Sequence, residues 1–520
     1  MEVSCVWHAR CSPASFRLTH VRAFCASTYP GKSKETKMKE LETWLQGMGH
    51  NSCNLRLCSF PPASATPGLG TIAGTGGIRK GDLVVQVPFQ AFMSDQTARA
   101  CPHVGPVMES AGLTAWQGLC LHLLFERVRG IKSMWYPYLA LLPSESEMVE
   151  LHPLMWPQGM CQQWLAGSPT LFTLEQRLRN CKEDYEVMLA AAANGSLPSE
   201  GTKNFVVTEA STRWAASILL SRAFSLDLSI PELDKEFDDC ATVLVPWADM
   251  LNHSSSAGTE SCLTFNPGKQ VACLRAHRNY GEGEQVFDSY GPHLSPSQLL
   301  LDYGFVDHEN KNHRVDLPGA WFFLQATYLG PVRDVANEAL LKAIGLPSDG
   351  AIFSITEAGV DDTALAWTRA AVASVKELAA AGWSGETQSD EGTGNFAAMA
   401  MARFLQPISH ENESEVLRRL LSACGSVLTQ YSTSLDEDAE ASTNMLQAEG
   451  YCGCKKKKSD DAKDKLEHKG KKPKLPQGLC QTWLVVNQTQ MRQSCAELGR
   501  HSVSKEGVRM DPAKVEAIKT

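Results

Sequence analysis

Two short segments of the chain place polar side chains inside apolar runs. They are Pro246 to Ser254 (PWADMLNHS) and Val286 to Phe305 (VFDSYGPHLSPSQLLLDYGF). A buried Asn, His or Tyr destabilises a fold by a few kcal/mol unless it finds a hydrogen-bond partner, so such residues persist where partners or ligands are present. Asn252, His253 and Tyr290 are therefore the first candidates for a functional site.

The two segments together resemble the SET-domain protein methyltransferases. The first has the form P-x-A-D-x-x-N-H-S, and about forty residues later come S-Y-G and then D-Y-G-F. The resemblance is narrower still, to the Rubisco large-subunit methyltransferase-like branch, and runs from roughly Met38 to Asp307 before continuing into a helical tail. Either motif alone is a weak signal, whereas two motifs in this order and at this separation are specific.

The resemblance implies an α+β fold. It consists of a split, β-rich SET domain with a helical insertion and a pseudoknot-like C-terminal crossing, followed by an all-α substrate-binding lobe. We place the SET domain at residues 38–310, its insertion at about 106–221 and the lobe at 311–520. The activity that the resemblance implies is methyl transfer from S-adenosylmethionine to a lysine of a non-histone protein, such as the Rubisco large subunit or a plastid aldolase.

Length and charge restrict the partners of the chain. Its 520 residues, 43% of them hydrophobic, are enough for two or three domains. The net charge of −9 gives no overall attraction to nucleic acid or to anionic membranes. No uninterrupted apolar run approaches the ~18 residues of a membrane helix. We expect a monomer that binds a protein substrate, with neither a nucleic acid nor a membrane as partner.

The first 37 residues differ from the rest of the chain. Up to Lys34 they contain several arginines and one acid, Glu2. This composition is typical of an organellar transit peptide and favours a chloroplast location over a mitochondrial one. A disordered extension is the alternative, and it would leave the protein in the cytoplasm or the nucleus.

The 17 cysteines are scattered, without a C-x-x-C pair, which indicates a reducing compartment. Cys120, Cys262, Cys273 and Cys424 lie in apolar context and predict buried, inert thiols. No ligand cluster predicts a catalytic metal. Zinc binding at the Cys452-Gly453-Cys454 segment is the alternative to a chain without metal.

Periodicity locates several elements of the SET region. Lys37 to Met48 is predicted to form a helix, and Asp82 to Phe92 shows the alternation of a strand. Most of Leu113 to Arg222 is predicted to be helical. The turn at Gly68-Leu69-Gly70 resembles the opening hairpin of a SET domain. A dinucleotide-binding reading of this G-x-G is excluded, because that fold needs the glycines between a strand and a helix.

Beyond Asp307 strand signals thin out and helices dominate. One amphipathic helix is predicted from apolar residues at i, i+3, i+4 and i+7 spacing: Leu417, Leu420, Leu421, Cys424, Val427, Leu428 and Tyr431. Ser434 and Glu437 form a capping-box signature inside a T-S-L-x-E-D sequence that resembles the substrate-binding lobe of the family. Residues 452–476, with ten lysines between Lys455 and Lys474, predict a disordered insertion.

The cofactor residues follow mainly from the resemblance. It assigns S-adenosylmethionine binding to Asn252, to the backbone around His253, and to Gly68, Leu69 and Gly70. A satisfied core histidine is the other interpretation of His253. Pro67 stands where relatives often carry an acidic residue, so one polar contact is missing there.

Arg222 lies on the apolar face of the helix predicted to begin near Thr208, where its charge requires an anionic partner. Its segment resembles the S-R-x-F sequence of the family, and the cofactor carboxylate is the predicted partner. Snorkelling of the side chain at the helix end is the alternative.

Tyr290 is the predicted catalytic residue and also contacts the cofactor. Its hydroxyl can hold the substrate amine or orient the methyl group, and its ring can stabilise developing positive charge. The resemblance assigns the substrate lysine to Ser221, Phe224, Asp249 and Tyr303. Packing in an aromatic core is the alternative for Phe224.

Three other functions compete with lysine methyl transfer. A catalytically degenerate SET-like protein-binding module is favoured by the departures at Pro67 and Pro296. A protein-histidine methyltransferase is disfavoured, because the branch with that activity has Asn and Trp where this chain has Phe224 and Ala248. A hydrolase that uses a cysteine with His253 lacks any supporting local sequence.

Overall fold

In this computed structural model the described residues are 32–51, 53–60, 68–194, 205–228, 241–260, 262–307, 310–318, 352–356, 359–360, 362–381, 402–431, 501–504 and 507–510. Several predictions fall outside them: the leader up to residue 31, Pro67, the capping box at Ser434, the cysteine pair at 452 and 454, and the lysine-rich insertion.

Ten short strands lie in the described part of the SET region. They are β1 (Leu55–Phe60), β2 (Gly68–Ala73), β3 (Leu83–Pro88), β4 (Met93–Ser94), β5 (Ala223–Leu226), β6 (Ala241–Leu244), β7 (Asn252–His253), β8 (Thr264–Asn266), β9 (Val271–Arg275) and β10 (Gln285–Asp288). They make three small sheets with the orders β1-β2-β10-β7, β3-β9-β8 and β4-β6-β5. The only parallel pair among these described strands joins β10 to β7, which is the neighbour relationship that the predicted crossing requires.

Helices interrupt these strands between β4 and β5. The first described helix, α1 (Lys34–Gly47), precedes the strands. Eight more described helices lie in the insertion: α2 (Asp95–Ala100), α3 (Gly105–Ala111), α4 (Ala115–Arg129), α5 (Tyr136–Leu139), α6 (Glu145–Leu151), α7 (Gln158–Leu165), α8 (Pro169–Asn194) and α9 (Glu209–Arg222). A capping box at Ser94 begins α2, so the insertion starts before the predicted residue 106.

Two element predictions are confirmed with shifted ends. Helix α1 begins at Lys34 rather than Lys37, because Ser33 Oγ accepts a hydrogen bond from the N–H of Thr36. Strand β3 stops at Pro88 rather than at Phe92, and a 3₁₀ turn over Phe89–Ala91 follows. Proline lacks the N–H that would continue the ladder.

The prediction of an all-α C-terminal lobe is wrong in one respect. An antiparallel sheet opens this part of the chain, with β11 (Val315–Pro318), β12 (Ile352–Thr356) and β13 (Gly359–Val360) in that order. The strands are short, so their alternation gives a weak signal. The other described elements are α11 (Asp362–Val372), α12 (Val375–Ala380), α13 (His410–Leu428), β14 (His501–Ser504) and β15 (Gly507–Met510).

The predicted amphipathic helix is confirmed as the C-terminal part of α13. Leu420, Cys424 and Val427 are buried in the core of this lobe. A buried ion pair fastens the helix, with Arg369 Nε on α11 2.6 Å from Glu413 Oε1 on α13. Buried charges are stable in this form, because each has its partner within hydrogen-bond distance.

The described cysteines are free thiols. Cys120 and Cys424 are buried as predicted, whereas Cys262 is exposed and Cys273 is half-buried. Among the described helices none has the length and apolar character needed to cross a bilayer.

Candidate active site

The site is built where β2, β7 and β10 meet. Asn252 opens β7, and its Nδ2 donates a hydrogen bond of 3.2 Å to the carbonyl oxygen of Leu69 on β2. A Cβ added to Gly70 would lie 2.7 Å from that same Nδ2 and 2.9 Å from Nε2 of Gln285. Only glycine permits this approach. The predicted turn at Gly68-Leu69-Gly70 is thus the start of a strand, held against Asn252.

Tyr290 lies just beyond β10, half-buried against β7. Its hydroxyl donates to the carbonyl oxygen of Leu251 at 2.8 Å, and its N–H donates to Nδ1 of His253 at 3.1 Å. Burial raises the pKa of the Tyr290 hydroxyl well above its usual 10. The phenol is therefore neutral near pH 7 and acts as a hydrogen-bond donor rather than as a base.

His253 is held in one tautomer. Since Nδ1 accepts the N–H of Tyr290, the proton lies on Nε2, which donates to Ser255 Oγ at 3.2 Å. Burial lowers the pKa of His253 to about 4. Its side chain is thus a satisfied, neutral histidine that positions Tyr290, and only its backbone remains for a role in cofactor binding.

Four rings surround this point. The centroids of Tyr290 and Tyr303 are 4.6 Å apart, and Phe305 lies 6.2 Å from each of them. His253 completes the cluster, 5.2 Å from Tyr290 and 5.9 Å from Phe305. Burial raises the pKa of Tyr303 to about 12. The arrangement is an aromatic wall of neutral rings.

A π-helical turn, Leu299–Tyr303, carries Tyr303 to this wall after the short helix α10 (Pro296–Gln298). Gly304 ends the turn with φ at 81°, and a Cβ there would overlap the carbonyl of Leu151. π-Helical turns are rare and concentrate at functional sites. Pro296 occupies the first turn of α10 behind a Ser295 capping box, so this departure from the family sequence is accommodated.

Arg222 and Asp249 form an ion pair beside the wall. Arg222 Nη1 is 3.1 Å from Asp249 Oδ2 and 3.3 Å from the Asp249 carbonyl oxygen. The Tyr138 hydroxyl, fully buried, donates to the same Oδ2 at 2.9 Å. Burial raises the pKa of the Asp249 carboxyl, and the Arg222 cation and the Tyr138 hydroxyl oppose that shift. The anionic partner that Arg222 requires is therefore present within the protein.

Other predicted substrate residues are placed differently. Ser221 Oγ donates to the carbonyl of Ser217 at 2.7 Å, so this hydroxyl is engaged within α9. Phe224 lies half-buried on β5 against the main core, and within the described part of the chain it has no ring contact with the aromatic wall. The sheet, the ion pair and the wall thus bring together Leu69, Gly70, Asn252, His253, Tyr290 and Tyr303, with Arg222 and Asp249 alongside.

Two residues were missed by the sequence analysis. Tyr138 lies in the apolar run after Trp135, and its buried hydroxyl needed a partner, which is the signal that could have found it. Trp247 has φ at 81°, although bulky residues rarely adopt positive φ. The strained turn aims the following Ala248–Met250 segment, which contains Asp249, and sequence carries no signal for it.

Comparison with known proteins agrees with this arrangement, which defines a SET-domain protein. The family model described as SET domain matches residues 72–291, and the model described as Rubisco LSMT substrate-binding matches residues 337–458. The chain therefore belongs to the Rubisco large-subunit methyltransferase-like family of SET-domain proteins. The predicted family is confirmed.

Several relatives show the range of this family. The chain is 30% identical over 264 residues to the chloroplastic Rubisco large subunit N-methyltransferase of Pisum sativum, covering 48% of each protein. It is 27% identical over 290 residues to N-lysine methyltransferase SETD6 of Bos taurus, covering 53% of this chain and 58% of the relative. It is 25% identical over 392 residues to the chloroplastic aldolase-lysine N-methyltransferase of Arabidopsis thaliana, covering 72% and 71%. The chain spans about half the length of the pea and cattle relatives.

Solved structures share the fold. A crystal structure of the SET domain of LSMT bound to lysine and AdoHcy superposes with a TM-score of 0.67 at 20% identity, covering 90% of this chain and 92% of the other. A structure of Rubisco LSMT bound to AdoMet gives 0.61 at 21% identity, covering 93% and 99%. The predicted mixed fold is confirmed at this level.

Proposed function

We propose that the chain is an S-adenosylmethionine-dependent protein-lysine N-methyltransferase. The observation that carries the proposal is the Tyr290 hydroxyl, neutral at pH 7 and directed at the Leu251 carbonyl between β7 and the aromatic wall. Membership in the SET-domain family supports the same activity.

The polar groups around β7 fit the amino-acid end of the cofactor. Arg222 directs Nη1 at Asp249 and keeps further N–H donors for a carboxylate. Asn252 uses Nδ2 on Leu69, which leaves its Oδ1 as an acceptor for an ammonium group. Gly70 supplies the close backbone approach. When bound, the cofactor supplies a methyl group on a sulfonium, and these residues bind and orient it.

The remaining residues fit a lysine side chain. Tyr290, Tyr303 and Phe305 offer flat apolar surface for its methylenes and π faces for a cationic amine. The carbonyl of Ser221 lies in the last turn of α9, where following helical N–H groups do not reach it. Such helix ends attract positive charge. Near-attack positioning of this kind is worth about 7 kcal/mol or more of the barrier.

The substrate we propose is a non-histone chloroplast protein, with the Rubisco large subunit and aldolase as the first to test. The composition of the leader and the printed names of the pea and Arabidopsis relatives support this choice. Labelled methyl transfer into a chloroplast extract, followed by mass spectrometry of the modified peptides, tests it. Labelling confined to proteins of another compartment would overturn the substrate class and leave the activity intact.

Lysine is the proposed acceptor, although a relative 25% identical over 313 residues is the actin-histidine N-methyltransferase of Drosophila melanogaster. A histidine substrate needs a hydrogen-bonding partner for its ring nitrogen, whereas the aromatic wall suits the four methylenes of a lysine side chain. A methyl group found on histidine would refute this assignment. Absence of S-adenosylmethionine binding in calorimetry would instead support a degenerate binding module.

A further inference from the structure

A second cluster of reactive side chains lies inside the helical insertion. His122 and Glu126 stand four residues apart on α4, so they share one face of that helix, and Cys101 caps the end of α2 beside them. One ligand atom from each of the three residues lies within 4.8 Å of the others. His122 and Glu126 are each 1% exposed and Cys101 is 8% exposed.

Three polar atoms of this cluster have no hydrogen-bond partner among the described residues. Both ring nitrogens of His122 and Oε2 of Glu126 are without a hydrogen bond within the described part of the chain. Oε1 of Glu126 accepts from Arg129 at 2.6 Å, so that carboxylate has one oxygen engaged and one left over. Buried polar groups without partners are rare in native proteins, and an unbound ligand is one of the ordinary reasons for them.

The ring of His122 keeps a nitrogen available for a metal ion. Edge-on contact with Trp135, at 5.4 Å between centroids, can engage at most one of its two nitrogens. A thiolate, an imidazole and a carboxylate together form a donor set that zinc binds in proteins.

We propose that Cys101, His122 and Glu126 bind a zinc ion, with water as the fourth ligand. Zinc bonds of about 2.0–2.3 Å place tetrahedral ligand atoms about 3.5 Å apart, within reach of small side-chain rotations here. Cys101 binds as the thiolate, and its proton passes to solvent. The sequence alone does not predict this site, because Cys101 and His122 are separated by α3 and do not form a recognisable metal-binding motif.

The ion would link the end of α2 to α4. Trp135 packs on His122 and donates its indole N–H to the carbonyl of Ala91 at 3.1 Å, next to β4. Tyr138, three residues further on, holds Asp249. The proposal is independent of the methyl-transfer function, so either can fail alone.

The test uses the chelator-treated full chain, titrated with zinc by calorimetry and with cobalt(II) by absorption spectroscopy. We expect a cobalt–thiolate charge-transfer band and a zinc-dependent rise in melting temperature. Both should be lost in Cys101→Ser and His122→Gln, with zinc affinity down by at least about 100-fold, since even groups that only support a ligand are worth about 10- to 100-fold.

Two controls separate this site from others. Cys161→Ser removes a buried thiol elsewhere and should bind zinc like the wild type. The Cys452→Ser, Cys454→Ser double variant should retain the band. If Cys101→Ser does not fold by circular dichroism, Glu126→Gln carries the test through its zinc affinity. A wild type without the band, a band that survives in Cys101→Ser, or binding lost only in the 452/454 variant would each overturn the proposal.

Discussion

The backbone N–H of Tyr290 donates to Nδ1 of His253, and the two nitrogens are 3.1 Å apart. The position of the proposed catalytic tyrosine therefore depends on a histidine that stays neutral. His152 repeats the arrangement, with Nδ1 accepting the N–H of Leu154 at 3.2 Å and Nε2 facing the carbonyl oxygen of Asp302 at 3.1 Å. Protonation of Nδ1 in either ring would place its N–H against the backbone N–H that this nitrogen now accepts. Burial lowers both pKa values to about 4.

The fold should lose stability as the pH falls from 6.5 toward 4. His253 has an ordinary pKa of 6.5 and a folded pKa of about 4, so its stabilising contribution is complete above pH 6.5 and is lost as the pH falls toward 4. Between these values the unfolded chain binds the proton and the native chain does not, so each pH unit of acidification lowers the contribution of His253 to the free energy of unfolding by about 1.4 kcal/mol. Urea denaturation at several pH values measures this slope.

The variant for this test is His253→Asn, whose Oδ1 can still accept the N–H of Tyr290. Its slope should be shallower than that of the wild type, because the variant has no ionisable group at this position. Equal slopes for His253→Asn and the wild type would show that His253 does not titrate with unfolding.

Tyr290→Phe should reduce methyl transfer by at least ~100-fold, the usual scale for a positioned proton donor. The change removes the hydroxyl bound to Leu251 and leaves the ring in the aromatic wall, so cofactor affinity should change little. Tyr280→Phe is the matched control, because its hydroxyl lies outside the wall, 3.2 Å from Nδ1 of His277 and accepting the N–H of Phe287 at 3.4 Å. Unchanged turnover in Tyr290→Phe would remove this hydroxyl from the mechanism.

Arg222→Ala should weaken S-adenosylmethionine binding by about 2 kcal/mol, the value of a charge-assisted hydrogen bond. It should also destabilise the fold, by about 3–5 kcal/mol, because Asp249 is left as a buried, unpaired charge. The Arg222→Ala, Asp249→Asn double variant separates the two effects: stability should recover and cofactor affinity should not. Recovery of both would assign Arg222 to structure alone.

Gly70→Ala should abolish measurable cofactor binding or unfold the β2–β7 contact, since its Cβ would lie 2.7 Å from Asn252 Nδ2. Gly159→Ala on α7 is the control: nothing lies within 4 Å of its added Cβ, and the helix should gain up to about 1 kcal/mol. Calorimetry and thermal melting of both variants make the comparison. Wild-type affinity in Gly70→Ala would show that Asn252 can move aside.

The elements that sequence predicted well are those with a local signal. Helix α1 and the apolar face of α13 follow from spacing, and the two motif segments do come together around Asn252 and Tyr290. The partner of Arg222 was not predictable, because Asp249 is 27 residues away and meets it only in the folded chain. The role of Phe224 in binding the substrate lysine stays a prediction, since its contacts with β6 and the core are compatible with packing alone.

Spatial proximity without a sequence motif accounts for the other differences. The cluster of Cys101, His122 and Glu126 depends on how α2 meets α4, and the sheet of β11, β12 and β13 depends on pairing between strands too short to show alternation. The positive φ of Trp247 has no sequence signature, because proteins tolerate it only where surrounding structure enforces it.

Strand β2 acquires its second neighbour late in synthesis. Its pairing with β1 is local, but the other edge must wait for β10, and the Thr71 hydroxyl donates to the carbonyl of Val286, 215 residues further along the chain. Long-range pairings of this kind fold slowly, and an unpaired edge is prone to association with other chains. On the ribosome the helices of the insertion are made while that edge is still open, so the yield of active protein depends on how well the nascent β1–β2 hairpin is shielded.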